Sequence, residues 1–342
     1  MDKQKSNQQN IHRELIRSPS LYLKEFEAKE DAGSRGNRLI SGTRVKSVVM
    51  PILYWLLKHV PLVIAKAPVR LLMMVMQILY WWPKNPLRLS CENLCIIAQR
   101  AGHNHHSKVI YQQFLTNAFG TVENYFHLYT HGLASVQDRV HLSNADNEKM
   151  NKLLKKYGGA LIAVPHNFGS AFSGFKMGQA FPMVLVTRNS STIDRTKAAI
   201  DFFERMGVTI VMVRGGNFFE LTRTLFSILK SDKAIGVTVD SFDRSESRVE
   251  VDMFGSKIGF NPWAAKIAAR LDIPLVPSYF ISQGKQISIE FGTSLISKNV
   301  EELVQHYVQY FERGILKNPA SWAFLADRRC AKVLREASQK IT

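Results

Sequence analysis

At 342 residues, with 46% hydrophobic and 21% charged content, the chain has the make-up of a globular protein with a sizeable core, which excludes disordered, collagen-like and low-complexity classes. Length alone allows one large α/β domain with extensions or two modest domains. The formal charge of +17 is the unusual quantity: a field of that sign selects an anionic partner, whether nucleic acid, acidic lipid or an acidic carrier protein.

Residues 1–46 carry ten Lys/Arg and six Asp/Glu, with no secretory signal pattern, and read as a polar arm with a short helix near Leu21 to Lys29. Gly33, Gly36 and Gly42 among Ser and Arg mark a flexible linker.

Residues 47–90 contain no acidic residue. Apolar runs at Val48 to Leu57, Leu62 to Ala65 and Leu71 to Trp82 alternate with Lys58, Lys66, Arg70, Lys84 and Arg88. Pro51, Pro61, Pro68 and the charges interrupt them too often for a clean span of roughly 20 residues. Basic residues among Tyr54, Trp55, Tyr80, Trp81 and Trp82 suit helices lying at a bilayer interface. The rival reading is a hydrophobic hairpin packed on the core. Unbroken positive charge beside aromatics is costly to bury and welcome near anionic lipid, which favours the membrane. A single tilted span, with Lys66 and Arg70 snorkelling, ranks lower.

From residue 91 to 157 the pattern is helical, with Leu94, Ile97, Phe114, Phe119, Tyr125, Phe126 and Tyr129 on buried faces. Cys91 and Cys95 lie one helical turn apart, and with Cys330 they make an odd set that fits reduced thiols rather than a metal knuckle. His103, His105 and His106 read as a turn between helices, and no metal site is expected.

The most informative stretch is GGALIAVPHNFGSAFSG, from Gly158 to Gly174. Ala160 to Val164 is a short continuous apolar run bounded by Gly-Gly and Pro165, which predicts a buried strand. His166 stands where that strand stops, and Asn167, Gly169, Ser170 and Gly174 supply a turn and the start of a helix. Beyond it, strands are predicted at Met183 to Arg188, Val208 to Arg214, Ala234 to Asp240 and Pro274 to Ile281. Helices are predicted at Ile193 to Met206, Phe218 to Ser231, Asn261 to Leu271 and Glu301 to Leu316. Val249 to Met253 and Ile287 to Phe291 alternate more and fit edge or antiparallel strands. Continuous apolar strands between amphipathic helices predict a mixed, mainly parallel α/β sheet covered on both faces. In such a sheet His166, Arg188, Arg214 and Asp240 all fall at carboxyl strand ends, on the one edge where open α/β sheets place ligand chemistry. Imidazole there can take and return a proton near neutral pH.

This ordered set resembles the lysophospholipid acyltransferase superfamily, and within it the bacterial lipid A biosynthesis (lauroyl/myristoyl) acyltransferases. The resemblance spans roughly residues 90 to 330. It rests on His166 with Gly169 and Gly174, Arg188 in VTRNSSTIDR, Arg214, Gly215, Gly216 and Asp240 in VRGGNFFELTRTLFSILKSDKAIGVTVD, the segment around Gly255, and NPASWAFLADRR. Asp327 in that tail stands where a basic or aromatic residue is usual. The resemblance implies a glycerol-3-phosphate acyltransferase-like fold. The chain as a whole reads as three parts: the arm 1–46, membrane-interface helices 47–90 and the α/β domain 91–335. The resemblance also implies transfer of a fatty acyl group from acyl carrier protein or acyl-CoA to a lipid or glycolipid hydroxyl. The setting would be the cytoplasmic face of the inner membrane, with an anionic membrane surface as partner and no cofactor besides the thioester co-substrate.

In that family a histidine is followed, after four residues, by Asp or Glu; the histidine is the general base and the carboxylate orients it. Here the acidic position is Ala171, and no Asp or Glu occurs between Glu148 and Asp194. Three outcomes stay open. Asp240 or Asp243 reaches His166 across the sheet edge, Ser170 or backbone orients the ring, or the chain is a catalytically inactive lipid or acyl-carrier binding protein on the same fold. Arg188, Arg214, Gly215, Gly216, Asn217 and Ser170 are the expected substrate-binding residues, with His166 and Asp240 catalytic. Nucleic-acid binding rests on charge alone, since no RNP-like motif, zinc knuckle or Lys/Arg-dense helix is present.

Overall fold

The computed structural model describes residues 59–187, 202–203, 206–212 and 218–341. The polar arm, the run Val48 to Leu57 and most of the helix expected at Ile193 to Met206 lie outside the described residues. In chain order, helices α1 (Ala67–Ile78), α2 (Pro86–Arg100) and α3 (Ser107–His131) precede strand β1 (Val140–His141) and helix α4 (Asn144–Tyr157). Strand β2 (Gly159–Val164), helix α5 (Ser170–Ala180), β3 (Met183–Thr187), β4 (Ile210–Met212), α6 (Phe218–Leu229) and β5 (Lys233–Thr238) follow. Then come β6 (Val249–Met253), β7 (Ser256–Phe260), α7 (Trp263–Leu271), β8 (Leu275–Gln283), β9 (Gln286–Phe291), α8 (Val300–Lys317) and α9 (Arg328–Gln339).

Among the described residues, a seven-stranded sheet runs in the order β1-β9-β8-β2-β5-β3-β4. Every pairing in it is parallel except β8 with β9. The expected mixed, mainly parallel sheet is therefore present, and β9 is the antiparallel strand that its alternation predicts. β6 and β7 stand apart as an antiparallel hairpin. Sequence reading finds neither β1 nor β7: two residues carry no period, and Ser256–Phe260 offers only Ile258 and Phe260 as buried apolar positions.

The centre of the sheet explains its unbroken apolar runs. All six residues of β2 are buried, and they alternate between two cores. Leu161 and Ala163 join α2, α3, α7 and α8 on one face; Ala160, Ile162 and Val164 join α4 and α5 on the other. A strand covered on both faces has no polar side, so period two disappears from its sequence. Side-chain caps fix several helix starts: Asn85 for α2, Ser143 for α4, Asn299 for α8 and Asp327 for α9. Asp327 therefore has a local role, accepting from the Arg329 and Cys330 N–H groups at 2.8 and 3.2 Å.

Helix α1 buries none of its residues. Leu71, Met74 and Ile78 are 63, 59 and 67% exposed. Its neighbours extend it into the helical stretch Val63–Trp81, 19 residues of mean hydropathy 1.5, long and apolar enough by length and composition to cross a membrane. The sequence reading counted Pro68 as an interruption. In the fold it lies in the first turn of α1, where a missing N–H costs no hydrogen bond. The stretch is pinned to α3 at both ends: Lys66 pairs with Glu123, and Tyr111 donates its hydroxyl to the Met76 carbonyl at 2.6 Å.

Candidate active site

Strands β2 and β5 are parallel neighbours in the register Val164 opposite Thr238. His166 and Asp240 each lie two residues beyond those positions, so the same register carries both side chains past the sheet edge side by side. The His166 backbone N–H donates to Asp240 Oδ2 at 2.9 Å, and the ring Nδ1 makes a short hydrogen bond to Oδ1. The indole N–H of Trp322 donates to Oδ2 at 2.9 Å. Three donors thus compensate a carboxylate that is only 1% exposed. Since Asp240 accepts at Nδ1, that nitrogen carries the imidazole proton and Nε2 keeps its lone pair. The His166 side chain is 35% exposed, and Nε2 has no partner among the described residues.

Phe324 stacks on the His166 ring with centroids 3.9 Å apart and planes at 15°. The main chain around it is tied down: Ala323 N–H donates to the His166 carbonyl at 2.7 Å and Phe168 N–H to the Ser321 carbonyl at 3.0 Å. Buried Asn167 donates from Nδ2 to the Ser321 carbonyl at 3.2 Å. The tail segment Ser321 to Phe324 is therefore a wall of the site. The turn into α5 needs Gly169, whose φ is +74° and where a Cβ would lie 2.2 Å from Ile287 Cδ1.

Of the expected site residues, the fold brings together His166 and Asp240. Ser170 donates its hydroxyl to the Asn167 carbonyl at 2.6 Å, closing the turn rather than orienting the ring. Asp243 accepts from Ser245 N and Oγ at 3.0 and 2.8 Å and does not reach His166. Ala171 is half-buried on α5 and packs against the apolar core under that helix. Arg188, Arg214, Gly215, Gly216 and Asn217 lie outside the described residues. The strands preceding them, β3 and β4, run parallel to β5 and β2 and end on the same edge.

Sequence reasoning assigned no role to Trp322 or Phe324 beyond their place in the tail. A signal existed for Trp322: an indole N–H that becomes buried must find an acceptor. The remaining clusters sit elsewhere. All three cysteines are free thiols, with burial pushing those of Cys91 and Cys330 well up and that of Cys95 to about 11. In the turn between α2 and α3, His105 Nε2 bonds the Leu316 carbonyl at 2.7 Å.

A second titratable cluster joins α1 to α3. Burial pushes the Glu123 carboxyl up, but Lys66 and Lys285 outweigh it and hold it below the usual carboxylate range. His127, 3.3 Å from Lys66 through Nε2, is lowered to about 4 by burial, then by Arg139 and Lys66.

The family profile described as "Bacterial lipid A biosynthesis acyltransferase" matches residues 43–329. Among curated proteins, the phosphatidylinositol mannoside acyltransferases of two Mycobacterium tuberculosis strains, CDC 1551 / Oshkosh and ATCC 25618 / H37Rv, are each 24% identical to the chain over 172 residues. That alignment covers 49% of this chain and 53% of each relative, so the match spans about half the length of the curated relatives.

Proposed function

The chain belongs to the bacterial lipid A biosynthesis acyltransferase family, and from that premise we propose that His166 and Asp240 form the base of a working acyltransferase. The enzyme moves a fatty acyl group from an acyl thioester to a hydroxyl of a lipid or glycolipid. One observation carries the reading: Asp240 holds Nδ1 of a partly exposed histidine whose Nε2 has no partner among the described residues.

His166 Nε2 takes the proton of the acceptor hydroxyl as its oxygen attacks the thioester carbonyl carbon. A new C–O bond forms, the C–S bond breaks, and the imidazolium returns the proton to the departing thiolate. While positive, the ring lies between the Asp240 carboxylate and the face of Phe324, both of which favour the charge. No enzyme nucleophile is needed. Arg188 and Arg214, following strands that end on this edge, are assigned to phosphate groups of donor or acceptor, where a planar fork suits two oxygens.

An inactive, lipid-binding role is what Ala171 favours, standing at the second position of α5 where the acid is missing. Asp240 supplies a carboxylate from the neighbouring strand, which favours the catalytic reading. The family description and the names of the relatives support a glycolipid acceptor. The exposed apolar face of α1, with Lys66 and Arg70 at its start, is assigned to the cytoplasmic face of an anionic inner membrane.

The test uses purified protein in mixed micelles, with acyl carrier protein and CoA thioesters and a panel of lysolipid and glycolipid acceptors. Transfer by the wild type that is abolished in His166→Ala is expected. Transfer undiminished in that variant would remove the histidine from the chemistry.

A further inference from the structure

We propose that a basic groove beside Asp240, between the β6–β7 hairpin and α9, binds the phosphate of the donor's phosphopantetheine arm. The inference rests on the thioester-donor reading above. The groove is a cavity of about 660 Å³, with Phe242, Arg244, Ile258, Arg329, Val333 and Lys340 among its lining residues.

Both walls are joined by short lengths of chain to residues of the active site. Phe242 lies two residues after Asp240, a reach of at most about 7 Å of chain. Its segment is fastened to the hairpin: Asp243 N–H donates to the Gly259 carbonyl at 2.8 Å, and the Phe242 and Phe260 rings meet edge to face at 5.6 Å. That close approach requires glycine, because a Cβ at Gly259 would lie 2.5 Å from the Asp243 carbonyl oxygen. The opposite wall begins with Arg329, five residues past Phe324, whose ring covers His166.

The charges of the groove are only partly spent within it. Arg248 is held by Glu250 at 2.6 Å and Lys257 by Asp252 at 3.0 Å. Glu336 is paired with Lys332 at 3.6 Å, and Asp243 is occupied by Ser245. Among the described residues, Lys340 bonds the Ser256 hydroxyl at 2.9 Å and no other side chain, and neither Arg244 nor Arg329 has an ion-pair partner. Arg244, Arg329 and Lys340 all line this one groove, and two guanidinium forks with an ammonium suit a phosphate, which accepts bidentate hydrogen bonds. The apolar residues Phe242, Ile258 and Val333 lie among those cations, as an arm with a geminal dimethyl group next to its phosphate requires. Such an arm leads its thioester toward the edge where His166 and Asp240 stand. Phosphopantetheine is common to acyl-CoA and to acyl carrier protein, so the groove would serve either donor.

The experiment compares kcat/KM for three thioesters of one acyl chain: the CoA ester, the carrier-protein ester and the phosphate-free N-acetylcysteamine ester. It uses the full chain and Arg244→Gln/Arg329→Gln, with Arg335→Gln on the exposed part of α9 as control and thermal melts to establish folding. In the double variant the preference for both phosphopantetheine donors over the N-acetylcysteamine ester is expected to fall at least about tenfold, through KM. The control should keep that preference. An unchanged preference overturns the proposal. A fall for the carrier protein alone, which would reveal an acidic protein surface, or for CoA alone, which would reveal its nucleotide phosphates, overturns it as well. If no thioester reacts, the functional reading fails, and calorimetry with 4′-phosphopantetheine, which carries no nucleotide, still decides the groove. Binding by wild type that is lost in the double variant supports it, and absent binding, or binding equal in both, overturns it.

Discussion

Trp322 donates its indole proton to Asp240, meeting at 2.9 Å the same oxygen that the His166 backbone N–H holds. The indole ring is fully buried, and its partner carboxylate is nearly so. Trp322 thereby fixes the plane of the carboxylate whose other oxygen faces the imidazole. Trp322→Phe keeps an aromatic ring but deletes this bond and leaves a small cavity, so the bond sets the lower limit of the cost. Stability should drop by at least about 1.5–3 kcal/mol, the usual value of a hydrogen bond to a charged group. Transfer should slow through kcat with KM little changed, because no substrate contact is removed. A rise in KM at constant kcat would instead place Trp322 against the substrate.

Asp240→Asn tests the orientation of the ring itself. An amide can present its N–H to Nδ1, which would move the imidazole proton to Nε2 and leave the acceptor hydroxyl facing a donor. In the serine-hydrolase arrangement this exchange lowers turnover about 10^4-fold, and a loss of at least about 10^3-fold in kcat is expected here. Asp243→Asn, at a carboxylate that bonds Ser245 and feels the Arg248 charge, should leave kcat within about twofold. Equal effects of the two variants would dissolve the dyad.

How much of this was legible can be argued from particular residues. His166 and Asp240 stand out in sequence because each ends an apolar run, and a polar residue in that place signals a strand end. Their pairing does not stand out, because it depends on the parallel register that sets Val164 against Thr238, and register is a tertiary property. The central strands were readable because burial on both faces leaves them without polar interruptions. β1 and β7 were not, one too short and one too mixed. Trp322 lies between two short 3-10 turns and Phe324 within the second of them, where no period marks which side chain points inward. For α1 the Pro residues misled: position within the first turn, not presence, decides whether proline breaks a helix.

The missing acid at Ala171 gives a further prediction. The usual inference would be that Ala171→Glu restores lost activity. In this fold Nδ1 of His166 is already engaged by Asp240, and Ala171 packs against the core beneath α5. A glutamate there adds a carboxylate beside apolar neighbours without a vacant nitrogen to orient. Melting temperature should fall, with a cost of about 1–3 kcal/mol, and transfer should not rise. A gain of tenfold or more would mean that Asp240 is not the functional partner of the ring.

The junction of α1 with α3 should respond to acid, and the direction follows from its groups. His127 is lowered from 6.5 to about 4 by burial and by Arg139 and Lys66, with His131 acting in the same sense and Glu123 opposing. Above pH 6.5 it is neutral folded or unfolded. Between about 6.5 and 4 the unfolded chain binds a proton that the folded chain does not, so stability falls as pH falls through that window. Glu123, held below the usual range by Lys66 and Lys285 against its burial, acts in the same direction at lower pH. Its contribution is present above the unfolded pKa and is lost as pH falls through the folded one. Acid should therefore release α1 from α3, read as smaller protection factors (amide exchange divided by the intrinsic rate at each pH) in Ala67–Ile78 on going from pH 7 to 4.5. His127→Gln, which can still accept from Lys66, should flatten the response above pH 5 and leave the lower part. A variant with the same pH response as wild type would show that His127 does not control this contact.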